Sequence, residues 1–283
     1  MTRLEIGLLG PLVVKVNGAA IVPTAAKQRR LLALLAAHAG REVGMLAIVE
    51  ELWAGRLPTG PTAAVQTYVK QLRQRIATVL PPDVGPKAIL SRGNSGYRLG
   101  TTDTYVDARA FETGVARAMR VLARGEDEEA ARLLADRLAM WRGRGLEDVR
   151  EGGLLRAEAL RLDEMRLAAL EARIAADLRL GRHAHLISEL TALTCRHPMR
   201  ENLHAQFMLA LYRSGRTSQA LKVFRQLRDA SVRELGIEPS RRVQELHRWV
   251  LAGDPILDIP LSVPAPAPVS VPAPVSVPAP SLP

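Results

Sequence analysis

The sequence is short of cysteine, of aromatic residues and of long hydrophobic runs. With one cysteine, Cys195, the chain cannot form an internal disulfide, and the helical pattern around that residue predicts a small core side chain. Only 4% of the residues are aromatic although 47% are hydrophobic, so Ala and Leu must build the core, which favours helices. The chain has no run of 18 apolar residues and no signal-peptide pattern, so we expect a cytoplasmic protein without a membrane partner.

Motifs of catalytic, metal and nucleotide sites are missing as well. The sequence has no GxxxxGK[ST] phosphate loop and no nucleophile elbow. The histidines lack the spacing of a zinc motif, and we expect four of them to be exposed polar residues near helix ends or turns: His183, His185, His197 and His204. These absences predict a protein that is not an enzyme and that holds no cofactor and no metal.

Charge is distributed unevenly along the chain. Residues 1–100 contain 13 basic and 5 acidic residues, whereas the rest of the chain contains 26 and 24. Arg outnumbers Lys 34 to 5, a bias that genomic base composition can produce, so the position of the charge is more informative than its total of +10. Because Lys and Arg that neutralise phosphates release condensed counterions, a basic N-terminal third predicts a polyanionic partner.

The N-terminal third changes from a strand pattern to a helix pattern. Short β-rich runs in "LEIGLLGPLVVKVNGAAIV" are separated by turn signals at residues 10–11 and 17–18, which predicts a small antiparallel sheet. An amphipathic helix is predicted from an N-cap at Thr24 to a terminal glycine, Gly40, and a second helix over about residues 45–53.

A third helix is predicted over "TAAVQTYVKQLRQRI", residues 62–76, with Thr62 as its cap. Its apolar stripe consists of Val65, Val69, Leu72 and Ile76. The opposite face carries no acid. A helix that enters the DNA major groove needs an apolar anchor and donors for phosphates and base edges, and phosphate would repel a carboxylate there. The candidate DNA-contacting residues are Gln66, Thr67, Lys70, Gln71, Arg73 and Gln74.

A glycine-rich hairpin, "ILSRGNSGYRL", is predicted over residues 89–99, with a tight turn at residues 93–96. Arg92 and Arg98 would lie along it, in position for the minor groove or a backbone phosphate. Turn geometry and hydrophobic packing explain Gly96 and Tyr97 better than DNA contact does. Three helices followed by this hairpin predict a winged helix-turn-helix that binds double-stranded DNA.

The remainder of the chain, from Thr104, is predicted to be helical almost throughout. Gly181 and Gly215 lie 34 residues apart, which is the period of tetratricopeptide (TPR) helical hairpins. In that register Ala220 and Phe224 take the small and large contact positions. The predicted fold class is therefore mainly α, with an N-terminal winged helix (small β-sheet, three helices, C-terminal hairpin wing) followed by an all-α, TPR-like domain. Residues 255–283 are rich in Pro, Ala, Val and Ser, which predicts a polyproline-II or disordered tail.

Several segments together resemble the Streptomyces antibiotic regulatory protein (SARP) family. They include "KQRRLLALLAAHAG", "AVQTYVKQLRQRI", "SRGNSGYRL" and, most specifically, "LYRSGR…ALKVFR…ELGIEPS"; the resemblance covers about residues 4–254. It implies a short-form member, with an OmpR-type winged-helix DNA-binding domain at residues 1–100 and a helical bacterial transcriptional activation domain at 104–254. By position it places Gln66, Thr67, Lys70, Gln71 and Arg73 nearest the DNA, with Arg92 and Asn94 on the wing.

The resemblance also implies a function. Members of the family bind direct repeats upstream of antibiotic biosynthesis promoters, with two copies on tandem repeats, and recruit RNA polymerase holoenzyme. Two features depart from the family: Gly44 stands where many members have a Ser or Thr helix cap, and the wing tip is about one residue longer. A protein-interaction adaptor, built on the helical repeats and with only non-specific DNA affinity, is the alternative.

Overall fold

The computed structural model of the chain describes residues 2–55, 57–150 and 152–258. They form two compact units, of which the first ends at Leu170 and the second begins at Glu171. Among the described helices, none combines the length and the apolar composition that crossing a bilayer requires.

Within the described ranges, all strands belong to the first unit. In chain order its elements are β1 (Arg3–Gly7), β2 (Val13–Val16), β3 (Ala19–Ala20), α1 (Ala26–Ala37), β4 (Glu42–Gly44), α2 (Met45–Trp53), α3 (Pro61–Ala77), β5 (Leu90–Arg92), β6 (Gly96–Leu99), β7 (Asp103–Val106), α4 (Asp107–Ala123) and α5 (Asp127–Leu138). The next helix, α6 (Gly153–Arg179), continues into the second unit, which also contains α7 (His183–Arg196), α8 (Glu201–Arg213), α9 (Thr217–Leu235) and α10 (Arg241–Ala252).

The N-terminal sheet has the strand order β3-β2-β1-β7. Its first three strands are antiparallel, as the turn signals predicted. The expectation of helix from Thr104 is wrong at its start, because β7 pairs in parallel with β1, with Thr104 opposite Leu4 and Val106 opposite Ile6. A parallel partner needs a long crossover connection, and here the connection is the whole winged helix, so no local pattern marks this strand.

Helices α1, α2 and α3 and a second sheet, ordered β4-β6-β5, form the winged helix. The apolar stripe predicted for α3 is confirmed, since Val65, Val69, Leu72 and Ile76 are each at most 1% exposed. Helix α3 packs against α1 and α2, which bury leucines of their own, among them Leu31, Leu35 and Leu52. This packing turns the polar face of α3 outward.

Both predicted threonine caps are wrong. The N-cap of α1 is Ala25, one residue after Thr24, and no side chain bonds the cap. Helix α3 begins at Pro61 with Gly60 as its N-cap. The fixed φ of proline suits the first helical position, so the helix starts before Thr62 rather than after it.

Carboxylates from the helical part of the first unit hold the β1–β2 connection. The Asp107 carboxylate accepts hydrogen bonds from the backbone N–H groups of Leu8 and Leu9, at 2.7 and 3.3 Å. The Asp148 carboxylate accepts one from the N–H of Leu12 at 2.7 Å. Residues 100–104, where the sequence predicts a domain boundary, lie inside the first compact unit.

Helical hairpins of the predicted kind are present. Gly125 lies between α4 and α5, Gly181 between α6 and α7, and Gly215 between α8 and α9, each with φ between +72° and +78°. Only glycine adopts this left-handed conformation without strain, which explains why the repeats are marked by glycine. Ala220 and Phe224 are buried, as the repeat register predicted.

Two side chains and one boundary differ from expectation. Cys195 was predicted in the core but is exposed, because it lies on the outer face of α7. His204 was predicted to be exposed but is only 6% exposed in the first turns of α8; of the other three histidines, His185 is exposed and His183 and His197 are half-buried. Of the predicted tail, residues 259–283 lie outside the described range, whereas Leu257 is fully buried, so packing continues past residue 255.

Burial makes stability depend on the charge of His204. Its pKa is lowered, chiefly because burial penalises the imidazolium, while the Arg200 carbonyl and the Glu201 charge act in the opposite direction. The unfolded chain therefore takes up this proton first, and stability falls as pH drops below the unfolded pKa of about 6.5, by at most about 1.4 kcal/mol per pH unit. We expect His204→Gln to reduce the loss of the urea midpoint between pH 7.5 and 5.5. The exposed control His185→Gln should leave that loss unchanged; equal pH responses of both variants would contradict the prediction.

Candidate nucleic-acid interface

Helix α3 presents an exposed face without a carboxylate. Five of the six predicted contact residues on this helix are exposed, and Arg73 is half-buried. Two aromatic rings hold the middle of the helix against α2, since Trp53 of α2 stacks on Tyr68 with ring centroids 6.4 Å apart. Lys27 of α1 lies over the same Trp53 ring, 5.1 Å from its centroid. These contacts hold α3 against both α1 and α2 and leave its polar face exposed.

Arg73 joins α3 to the wing. Its Nε donates a hydrogen bond to the Leu90 carbonyl at 2.9 Å, and its guanidinium lies 5.8 Å from the Tyr97 ring centroid. Since an arginine has five N–H donors, this bond leaves the side chain with capacity for a further acceptor. Arg73 is thus first a structural tie between helix and hairpin, a role that the sequence did not indicate.

A groove of about 490 Å³ runs between α3, the single turn at Pro86–Ala88 and the wing. No acidic residue lines it within the described part of the chain. Its polar lining consists of Gln66, Lys70, Arg73, Gln74, Lys87 and Arg92. Four cations in one cleft without a counter-charge form a local positive potential, which suits a phosphate backbone.

Thr67 and Gln71 lie outside this groove. The Thr67 hydroxyl donates to the Ala63 carbonyl at 3.0 Å, within its own helix. Gln71 faces α1, where its side-chain oxygen accepts a hydrogen bond from Gln28 at 2.7 Å. The structure therefore divides the predicted α3 residues into a groove-lining group of four and a pair directed elsewhere.

The two wing arginines lie on opposite faces of the hairpin. Arg92 is paired across the strands with Tyr97, and residues directly opposite in an antiparallel pair share a face. Arg98 alternates with Tyr97 along β6 and is paired with Ser91 and with Glu42 of β4. Arg92 therefore lines the groove, whereas Arg98 shares its face with Glu42; the contact of either arginine with DNA stays a prediction.

Backbone contacts fix the wing tip, where Asn94 is exposed. The Glu42 carboxylate accepts the Ser95 N–H at 2.6 Å and the Ser95 hydroxyl at 3.0 Å. The backbone bond from Ser95 is the main reason why the pKa of Glu42 is lowered. A Cβ on Gly96 would lie 1.8 Å from the Val43 carbonyl oxygen, so glycine is required there for close strand approach. This geometry confirms the structural interpretation of Gly96.

The missing cap at Gly44 is visible in the structure. Gly44 is the N-cap of α2, with no side-chain cap bond. The wing supplies a partial substitute, because the N–H of Met45 donates to the Ser95 carbonyl at 2.8 Å. One of the otherwise unpaired first amides of α2 is thereby satisfied by the hairpin.

Sequence reasoning missed two groups at this site. Lys87 lies in the groove but belongs to a single turn after a Pro-rich break, where helix and strand patterns give no information. The second is Glu42, whose carboxylate binds the wing tip at Ser95, 53 residues further along the chain. For Lys87 the excess of basic residues in the N-terminal third was a usable signal; for Glu42 the sequence offered none.

Two family profiles match the chain. One, described as "Transcriptional regulatory protein, C terminal", matches residues 19–99, and the other, described as "Bacterial transcriptional activator domain", matches residues 106–251. Together with the acid-free reading face, they define a DNA-binding transcriptional activator that combines a winged helix with a helical activation domain.

Several relatives share this organisation. Regulatory protein DnrI of Streptomyces peucetius is 46% identical over 257 residues, which are 90% of this chain and 94% of DnrI. Transcriptional regulator RedD of Streptomyces coelicolor is 33% identical over 90% of this chain and 73% of RedD. The chain belongs to the Streptomyces antibiotic regulatory protein family.

A solved structure shows the same fold in a longer protein. Mycobacterium tuberculosis EmbR in complex with a low-affinity phosphopeptide superposes with a TM-score of 0.80 at 34% identity. The match covers 89% of this chain but only 66% of the EmbR chain. What EmbR binds is therefore not transferred to this protein.

The close approach at Gly96 leads to a stability prediction. We expect Gly96→Ala to destabilise the fold by about 1–3 kcal/mol, since the added methyl meets a backbone oxygen that cannot move aside. Gly85→Ala is the matched control, because Gly85 has φ −77° and a Cβ added there would meet nothing within 4 Å. Thermal unfolding should show a lower midpoint for the first variant and an unchanged or slightly higher one for the second. Equal midpoints would show that β4 and β6 are not in this close contact.

Proposed function

We propose that this protein is a pathway-specific activator that reads promoter DNA through the groove side of α3 and the Arg92 face of the wing. The observation that carries the proposal is the cluster of Lys70, Arg73, Lys87 and Arg92 around a groove with no acidic lining residue among those the structure describes. On this basis Gln66 and Gln74 read base edges, where an amide can bridge adenine, and the cations bind phosphate or guanine.

The predicted contact residues that do not line the groove have smaller roles in this proposal. Gln71, which bonds Gln28 of α1, and Thr67, which bonds within its own helix, serve the adjacent DNA backbone, and Asn94 reaches DNA from the wing tip. Arg98 is assigned a minor role, because Glu42 on the same face offsets its charge.

Membership of the family supports the finer parts of the proposal. Two copies bind direct repeats in tandem upstream of secondary-metabolite promoters, and residues 104–254 recruit RNA polymerase holoenzyme. The protein acts in the cytoplasm and catalyses no reaction. Footprinting of the DNA beside the protein's own gene tests this directly: we expect two protected repeats in the same orientation, and protection without a repeat would contradict the tandem arrangement.

The adaptor interpretation assigns function to the helical hairpins alone. It predicts that the charge of α3 has no consequence for activity. No feature of the described residues favours it over DNA reading, because the acid-free groove would then have no role.

Charge reversal on α3 separates the two functions. We expect Lys70→Glu to weaken promoter binding by roughly 10- to 100-fold, since it replaces a phosphate attraction by a repulsion. Lys222→Glu, an equal charge change at an exposed position of α9, is the matched control and should bind normally. Fluorescence anisotropy at fixed salt measures both, with circular dichroism to verify folding. Equal weakening of both variants would indicate a net-charge effect, and no weakening would favour the adaptor.

Salt dependence tests which cations touch phosphate. We expect Lys87→Ala to reduce the slope of log K against log[salt] by about 1, because one fewer counterion is released. Arg98→Ala, on the opposite face of the hairpin, should leave the slope unchanged. If instead Arg98→Ala lowers the slope and Lys87→Ala does not, the DNA lies against the other face of the wing.

A further inference from the structure

A buried carboxylate connects the helix-turn-helix to the long helix α6. Glu51 lies on α2, directly before the proposed reading helix, and is fully inaccessible to solvent. Its neighbour Glu50 is exposed. A carboxylate without solvent access needs strong hydrogen-bond partners, since an unpaired buried charge costs several kcal/mol.

The partners of Glu51 are the first amides of α6. One carboxylate oxygen accepts the N–H of Gly152 at 2.6 Å, and the other accepts those of Leu154 and Leu155 at 2.8 and 3.3 Å. Such amides have no partner inside a helix, and the positive end of the helix dipole favours a negative charge there. The Glu51 side chain therefore caps the N-terminus of a helix that begins about a hundred residues further along the chain.

The same contact is tightly packed and tied to α1. A Cβ on Gly152 would lie 2.4 Å from the Glu51 carbonyl oxygen, so the chain enters α6 directly against α2. On the other side, Arg30 donates to the carbonyls of Glu51 and Leu52 at 3.2 and 3.3 Å. The end of α2 is thus bonded at once to α1 and to the start of α6.

Helix α6 is the longest helix among the described residues. It has 27 residues, which correspond to about 40 Å, and it continues past Leu170 into the second unit. Since α2 packs against α3, the residue that caps α6 belongs to a helix that also positions the proposed DNA-contacting face.

We propose that Glu51 is a positioning residue that couples DNA reading to activation. This proposal rests on the proposed function, in which α3 binds the promoter and the helical domain recruits RNA polymerase. With the cap in place, α2 of the DNA-bound head fixes the first turn of α6, which belongs to the domain that recruits RNA polymerase. Without the cap, the head still reads DNA, but the first turn of α6 is no longer fixed against α2.

The test separates promoter binding from maximal activation. We compare Glu51→Gln, which removes the charge but keeps an oxygen acceptor, with Glu50→Gln, the same change at the exposed neighbour. Full-length proteins are assayed on the footprinted promoter, first for affinity and then for transcription by RNA polymerase holoenzyme at saturating activator. We expect Glu51→Gln to keep its affinity within about twofold and to lose about tenfold in maximal transcription. Glu50→Gln should change neither.

A second pair of variants removes the donor instead of the acceptor. Leu154→Pro deletes one N–H that Glu51 accepts, at a first-turn position where proline is tolerated, and Leu154→Ala controls for the lost side chain. We expect the same loss of maximal transcription from Leu154→Pro alone. If Glu51→Gln fails to fold, the comparison of Leu154→Pro with Leu154→Ala still tests whether the cap couples DNA binding to activation.

The outcomes are distinguishable from failure of the proposed function. If wild-type protein protects no promoter, the proposed function is wrong. If it binds and activates but Glu51→Gln and Leu154→Pro reach wild-type transcription at saturation, the coupling is refuted. Loss of DNA affinity equal to the loss of transcription would also refute it, because Glu51 would then merely stabilise the reading head.

Discussion

The first unit depends on buried carboxylates that accept backbone N–H groups. Glu51 caps α6, and Asp107 binds the two amides that follow β1. Such a charge is stable away from water only when its acceptors are satisfied, so each carboxylate permits one arrangement of the segments it bonds. These contacts combine the sheet, the winged helix and the start of α6 into one packed body, although they are far apart in the chain.

Within that body, the basic residues near α3 and the wing differ in their structural roles. Arg73 bonds the Leu90 carbonyl and so sets the distance between α3 and the hairpin. That spacing creates the groove in which Lys70, Lys87 and Arg92 collect without a counter-charge from the described residues that line it. Arg98 has the same chemistry but is paired with Glu42 across the strands, so residue type alone does not decide which arginine joins the acid-free groove.

Prediction from the sequence succeeded where the signal was periodic or conformational. The apolar stripe of α3 was identified because burial on one helix face selects apolar residues at the helical period. The turn glycines at 181 and 215 were identified because a positive φ selects glycine. The prediction failed where a residue's neighbours in the fold are distant in the sequence. Strand β7, the buried position of His204 and the exposed position of Cys195 depend on neighbours that local patterns do not reveal.

The sequence by itself determined the chemistry of this protein: an acid-free amphipathic helix, a basic N-terminal third and glycine-marked helical hairpins. These follow from side-chain type and spacing, which are properties of short segments. Only the tertiary structure decided which cations share a surface, which carboxylate caps which helix and where the packed units end. Those features arise from contacts between residues tens to a hundred positions apart, and their geometry exists only after the chain has folded.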